Sequence, residues 1–191
     1  MKPKNKIALF GGSFDPIHIG HVSLIEKAIE LFQFDQLIVI PCKQSPHKEN
    51  APQASDSHRL KMCELATKHL PAVTVSDIEV HRNPPSYSWM TVEAYRTLFP
   101  HSELFWIMGT DQWNNLEKWA RFDYLAESLH FIVVERQETI SSKTNIKHSP
   151  LHFDAKISST EIRNQLNSSQ TATHLPGNVE HYILRNKLYS T

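Results

Sequence analysis

Four stretches are apolar at almost every position: Ile7-Ala8-Leu9-Phe10, Leu37-Ile38-Val39-Ile40-Pro41, Leu104-Phe105-Trp106-Ile107-Met108 and Phe131-Ile132-Val133-Val134. Continuous apolar runs of this length predict strands buried on both faces, as in a parallel sheet. Two shorter runs, Val73-Thr74-Val75 and Leu151-His152-Phe153, are further strand candidates. Between the runs the apolar period lengthens to that of a helix. Val22, Ile25, Ile29 and Phe32 share one face, as do Leu60, Cys63, Leu65 and Ala66 up to about His69, after a start at Ser55 or Asp56. Val92, Tyr95, Leu98 and Phe99 mark a helix that Ser86 or Ser88 can cap, and the span 111–122 reads as helical or turn-like. Ser158 or Ser159 can cap a helix with Glu161 in its first turn. A last helix is predicted over about 178–189, with Val179, Tyr182, Ile183 and Leu188 inward. The spans 42–54, 77–85 and 135–150 are polar and read as loops. Strands alternating with helices predict an α/β doubly wound parallel sheet.

Composition narrows the class. At 191 residues the chain suits a single domain, and 40% apolar with 21% charged residues is ordinary for a globular protein. A formal net charge of +0 gives no reason to expect a nucleic acid or an anionic membrane as partner. No apolar run approaches the ~18 residues of a membrane helix, and the first strand begins too early for a signal peptide. Cys42 and Cys63 form no ligand cluster and are expected to be inert thiols in a reducing, cytoplasmic setting. The twelve histidines are scattered.

One loop concentrates candidate chemistry. Gly11-Gly12-Ser13-Phe14-Asp15-Pro16-Ile17-His18-Ile19-Gly20-His21 lies between the first predicted strand and the first helix. Such a turn is where open parallel sheets bind nucleotides, since helix N-terminal amides favour phosphate. Adjacent glycines let a backbone approach a ligand closely. His18 and His21, three apart, fall on one face if the helix begins near them, and imidazoles can donate to phosphate oxygens. The order fits neither G-x-G-x-x-G nor G-x-x-x-x-G-K-[ST], which disfavours a dinucleotide dehydrogenase and a P-loop kinase.

The loop resembles the H-x-G-H signature of nucleotidylyltransferases, and its longer form G-G-S-F-D-P-I-H-I-G-H is similar to that of nicotinate-mononucleotide adenylyltransferases. Further stretches resemble the same family in the same order: Pro46-His47-Lys48, Pro85-Ser86-Tyr87-Ser88, Gly109-Thr110-Asp111 with Trp119, and Ile157-Ser158-Ser159-Thr160-Glu161-Ile162-Arg163. Leu175-Pro176-Gly177, Val179, Tyr182-Ile183 and Asn186 continue the likeness to the C-terminus. Arg136-Gln137-Glu138 departs from the usual R-P-G, and Trp89-Met90 is bulkier than the family pattern.

The resemblance implies a Rossmann-like sheet of the nucleotidylyltransferase type, core about 5–154, with a small C-terminal helical part, about 155–191. It implies transfer of the adenylyl group of ATP to nicotinate mononucleotide, giving nicotinate adenine dinucleotide and pyrophosphate, with Mg²⁺ carried on the ATP phosphates rather than by protein ligands. His18, His21, Lys48 and Arg163 are the implied catalytic groups. Gly11, Gly12, Ser13, Phe14, Gly109, Asp111, Ser158 and Ser159 would join His18, His21 and Arg163 around ATP. Ser13, Lys48, Tyr87, Ser88, Trp119 and Arg136 would hold nicotinate mononucleotide. No oligomeric state is implied.

Each residue also has a plainer reading. Lys48 can be merely solvated, Arg163 can pair with Glu161 or a C-terminal acid, Asp111 can be a helix cap, and Trp119 can be core. His18 and His21 can be half of a zinc site, though no third ligand stands at a recognisable spacing. The nearest rivals are a pantetheine-phosphate adenylyltransferase, a cytidylyltransferase, or a non-catalytic nucleotide-binding module. A class I aminoacyl-tRNA synthetase shares H-I-G-H, but this chain is short, lacks a K-M-S-K-S-like loop and has no basic surplus for tRNA.

Overall fold

The computed structural model describes residues 4–44, 51–135, 140, 143–168 and 172–189. Six strands form one parallel sheet: β1 (Lys6–Gly12), β2 (Gln36–Pro41), β3 (Val73–Val75), β4 (Glu103–Gly109), β5 (His130–Glu135) and β6 (His148–His152). Between and after them lie α1 (Ile19–Phe32), α2 (Asp56–Thr67), α3 (Ser88–Leu98), α4 (Thr110–Asn114), a 3₁₀ turn at Leu116–Lys118, α5 (Phe122–Ser128), α6 (Ser159–Asn167) and α7 (Gly177–Arg185). The strand order is β3-β2-β1-β4-β5-β6. The chain winds outward from β1 in one direction and then restarts at β4 on the other side. The crevice between the carboxyl ends of β1 and β4 is therefore the topological switch point. No helix among the described residues is long and apolar enough to cross a membrane.

Alternate residues of each strand feed two cores. Ala8, Phe10, Leu37, Val39, Phe105, Ile107, Ile132 and Val134 face α1, α2, α6 and α7. Ile7, Leu9, Ile38, Ile40, Leu104, Trp106, Met108, Phe131 and Val133 face α3, α4 and α5. Both faces are covered, which is why the strand runs are apolar throughout rather than alternating.

Several expected elements are displaced. Gly11 and Gly12 belong to β1, paired with Ile40 and Pro41, and not to the loop after it. The last strand starts at His148, earlier than its apolar residues suggest. It lies at the sheet edge, where Pro150 is tolerated because one side of the strand needs no ladder partner. The 111–122 segment breaks at Asn115, and a separate helix α5 follows. Leu98 is exposed, and Thr91, Val92 and Tyr95 are the buried positions of α3. Neither Ser86 nor Ser88 caps α3. Tyr87 holds the cap position without a side-chain bond, Ser88 is already helical, and the Ser86 hydroxyl accepts from the Lys43 amide. The buried stripe of α2 runs Arg59, Met62, Cys63, Ala66, so Leu60 is only half-buried.

The glycines of β1 serve packing. A Cβ on Gly12 would stand 2.9 Å from the Phe14 ring, and one on Gly11 would stand 3.2 Å from Trp106. No glycine has positive φ; the left-handed residue of the turn is Phe14, at φ 45°. The Phe14 ring is buried and cannot swing aside. Gly12→Ala should accordingly cost about 1–3 kcal/mol by overpacking, measured as a lowered urea midpoint, and an unchanged midpoint would show that the turn repacks freely.

Candidate active site

The turn between β1 and α1 has little regular structure of its own, so its carbonyls need partners from elsewhere. Arg59 Nη1 donates to the Ser13 carbonyl at 2.7 Å, Arg163 Nη1 to the Asp15 carbonyl at 2.6 Å, and Ser159 Oγ to the Pro16 carbonyl at 3.0 Å. Arg59 is wholly buried in α2, and Asp56 one helical turn earlier balances its charge at 2.6 Å. The Asp15 carboxylate is buried too, and it accepts from the Gln53 and Ala54 amides and from the Tyr189 hydroxyl.

His18 is the N-cap of α1 and His21 is its third helical residue. Each ring takes the other's backbone amide: His21 N–H donates to His18 Nδ1 and His18 N–H to His21 Nδ1, both at 3.3 Å. This is a capping box built from histidines. The rings stack at 3.7 Å, and Phe14 packs edge-on against His21 at 5.2 Å. An Nδ1 that accepts from an amide carries no proton, so a neutral ring holds its proton on Nε2. The cap thereby sets both rings as Nε2–H donors. Gly20 makes room for this, since a Cβ there would come within 3.2 Å of His18 Nδ1 and 3.3 Å of Ala155.

Two of the first three amides of α1, expected to favour phosphate, are engaged within the protein. The Ile19 amide donates to the His174 carbonyl and the His21 amide to His18.

Across the switch point, Gly109 is the cap residue of α4. The Thr110 hydroxyl ties the end of β4 to the Val134 carbonyl of β5. Asp111 is exposed and folds back over Gly109, where a Cβ would meet its carboxylate at 2.6 Å. Asp111 is thus inside the helix and does not cap it. Ser158 caps α6 by accepting from the Glu161 amide. Arg163 pairs with neither Glu161 nor a C-terminal acid: besides Asp15 it donates to Thr160, and its five N–H donors are not exhausted by these two bonds.

The Pro85–Ser88 turn is braced from two sides. The Ser86 amide donates to the Gln44 carbonyl, and Ser86 Oγ holds the Lys43 amide. Behind it Glu79, buried, accepts from Thr91 at 2.6 Å. Burial pushes the Glu79 carboxyl above its usual range, while Thr91, Ser86 and Arg82 oppose that rise. Tyr87 is exposed at the tip. Trp119 is 8% exposed and meets Trp106 edge-on at 6.3 Å, so its indole is largely core. The bulky Trp89 has a partner: Arg121 lies between the Trp89 and Tyr124 rings, 4.6 and 4.7 Å from their centres. That stack joins the start of α3 to the start of α5, and so brings the Tyr87-Ser88 turn toward the Trp119 segment.

Lys48 and Arg136, both expected in the site, lie outside the described residues. The buried Cys63 thiol is pushed far up by desolvation, which keeps it an unreactive thiol. Among the described residues, no three His, Cys, Asp or Glu side chains gather to hold a metal. Arg59, Asp15 and Tyr189 escaped the sequence reading as supports of the site. The signal for Arg59 was available: a cation at the helical spacing of Met62, Cys63 and Ala66.

A cytidylyltransferase-like family model matches residues 9–165. A probable nicotinate-nucleotide adenylyltransferase of Methylacidiphilum infernorum is 39% identical, over 96% of this chain and 92% of its own. One of Carboxydothermus hydrogenoformans is 35% identical over 96% and 98%. Among solved structures, the Plasmodium falciparum nicotinic acid mononucleotide adenylyltransferase complexed with NaAD superposes with a TM-score of 0.81, covering 97% of both chains at 20% identity. At that identity the likeness speaks for the fold.

Because His18 caps α1, its replacement has two separable effects. His18→Ala should lose about 0.5–2 kcal/mol of cap stabilisation, roughly 2–4 °C of Tm per kcal/mol at this chain length. His18→Asn, which keeps a capping acceptor, should recover most of that loss. In the wild type, ¹⁵N spectra should show Nδ1 of both rings as the unprotonated nitrogen. A protonated Nδ1 on either ring would dissolve the tautomer argument.

Proposed function

The chain belongs to the nicotinate-nucleotide adenylyltransferase family, within the cytidylyltransferase-like proteins, and from this premise we propose that it transfers the adenylyl group of ATP to nicotinate mononucleotide in NAD biosynthesis. The products are nicotinate adenine dinucleotide and pyrophosphate. The whole chain acts as one nucleotidyltransferase unit. The observation that supports the reading is the reciprocal histidine cap beside the switch point, which leaves Nε2 as the protonated nitrogen of each neutral ring.

The chemistry asks little of a base. The nucleophile is a phosphate oxygen of nicotinate mononucleotide, already ionised at neutral pH. It forms a bond to the α-phosphorus of ATP as the bond to the bridging α,β-oxygen breaks, and pyrophosphate leaves with that electron pair. The demands are to align two polyanions and to stabilise charge growing on the leaving group. Fixed imidazole N–H donors meet both demands without a proton transfer. Stacking of His18 on His21, backed by Phe14, holds the donors still.

We assign Arg163 and the α6 start at Ser158-Ser159 to the β- and γ-phosphates, with Lys48 reaching in from the chain between β2 and α2. Gly11, Gly12, Ser13 and Phe14 are assigned to ATP as well, Phe14 through its backbone because its ring is buried. Asp111 and Gly109 are assigned to the adenosine side. ATP enters as its Mg²⁺ complex, the metal neutralising the triphosphate. Asp15, the buried carboxylate nearest the turn, is engaged by two amides and a hydroxyl, which suits it to support rather than to metal binding.

The acceptor's ring is assigned to the space between Tyr87-Ser88 and the Trp119-Ala120 segment, with Arg136 toward its phosphate. Backbone donors there would pair with the nicotinate carboxylate. The NH₂ of the nicotinamide analogue would face those donors with a donor, at a cost of ~1–3 kcal/mol.

Two measurements test this. His18→Ala and His21→Ala should each lower turnover by ~10²–10³-fold, the scale of one preorganised donor to developing charge. Near wild-type turnover in both would remove the pair from the chemistry. Pyrophosphate release with ATP, measured across mononucleotide acceptors and phosphopantetheine, should favour nicotinate over nicotinamide mononucleotide by roughly tenfold to a few hundredfold in kcat/KM. Equal values, or a preference for phosphopantetheine, would reject the acceptor assignment.

A further inference from the structure

Tyr189 is the last described residue, yet it is buried. Helix α7 ends at Arg185, and the chain then turns through left-handed Lys187 (φ 51°) and Tyr189 (φ 63°). Non-glycine residues adopt that conformation only when surrounding contacts favour it. Here the turn carries the Tyr189 ring into the core shared with Phe14, Ile17 and Ile183. Its hydroxyl ends 2.7 Å from Asp15 Oδ1. Burial and the adjacent carboxylate both push the Tyr189 phenol far up, so it stays a donor at any working pH.

Asp15 is the joint of three segments. Its Oδ1 accepts from Tyr189 and from the Ala54 amide at 3.0 Å, and its Oδ2 from the Gln53 amide at 2.8 Å. Residues 53 and 54 stand just before the Ser55 cap of α2. The backbone carbonyl of Asp15 holds Arg163 Nη1 at 2.6 Å, while Oδ2 stays 3.8 Å from that same nitrogen. The carboxylate is thus turned toward the hydroxyl and the amides, and the guanidinium toward the main chain.

We propose that the Tyr189 hydroxyl is a positioning group for the reaction: through the Asp15 carboxylate it fixes the His18–His21 turn against Arg163 and against the Gln53-Ala54 backbone that leads into α2. Without the hydroxyl, Oδ1 loses a donor, and Arg163, 3.8 Å from Oδ2, is a cation to which the carboxylate can turn. That exchange of partners draws Arg163 off the Asp15 carbonyl and loosens the turn. The effect then falls on ATP, the substrate whose phosphates these groups are assigned to hold, and this part rests on the adenylyl-transfer reading above.

Tyr189→Phe in the full chain tests it, since only one oxygen is lost. Amide hydrogen exchange should rise roughly several-fold in the peptides covering 13–21 and 51–55, and stay unchanged in β5 and α3. kcat/KM for ATP should fall about tenfold, within the ~10²-fold that a small misplacement remote from the chemistry can cause. KM for nicotinate mononucleotide should not move. Leu188→Ala is the control for general loosening of the C-terminus: it removes packing from the same segment and should lower Tm without either effect. Exchange that is unchanged, or raised across the whole chain, overturns the proposal, as does an unaltered kcat/KM for ATP alongside faster local exchange. Leu188→Ala reproducing both effects overturns it as well. If the wild type releases no pyrophosphate from ATP and nicotinate mononucleotide, the adenylyl-transfer reading fails instead, and the exchange contrast still decides whether Tyr189 holds the turn.

Discussion

A turn at the centre of a buried sheet edge cannot leave its carbonyls unpartnered, and most of this structure answers that constraint. An unsatisfied buried carbonyl costs as much as a lost hydrogen bond. The turn after β1 has no regular ladder of its own, so α2 and α6 supply donors. Arg59, Arg163 and Ser159 hold the carbonyls of residues 13, 15 and 16 in succession. Burying Arg59 would be costly for an unpaired cation, and Asp56 on the same helix offsets that cost. The outcome is a rigid turn whose geometry is set by helices far along the chain.

Rigidity matters because the proposed chemistry depends on placement. Nothing in adenylyl transfer to a phosphate oxygen requires a strong base. What lowers the barrier is a set of donors already aimed at the charge that develops. A histidine capping box is an economical way to build them. The same hydrogen bonds that start α1 also choose the tautomer of both rings. On the proposed assignment, one interaction at His18 serves both fold stability and catalytic preparation.

The remaining walls of the crevice follow the same logic of shared support. Thr110 links β4 to β5 at their carboxyl ends. Ser86 ties the Pro85–Ser88 turn to the exit of β2 through Lys43 and Gln44. The Trp89–Arg121–Tyr124 stack joins α3 to α5, a contact of the cation–π kind that also restrains the left-handed Arg121. The bulk at Trp89 that departs from the family pattern is thereby used in packing.

Local pattern was enough for the sheet. The four central strands were legible because burial on both faces leaves an unbroken apolar stretch, the edge strands β3 and β6 only as short interrupted runs, and the glycine- and histidine-rich turn stood out by its spacing. The family was legible too, since several of its motifs stand in one order along the chain. Tertiary structure decided how the described motif residues pack and bond. A Cβ on Gly11 or Gly12 would meet Trp106 or Phe14, and the Ile19 and His21 amides of α1 are taken by His174 and His18. Trp119 is mostly enclosed. The pairings of Asp15 with Tyr189 and of Arg59 with Ser13 span 174 and 46 residues. No local period encodes such a pairing, because it arises only when the sheet order brings distant helices to one strand end.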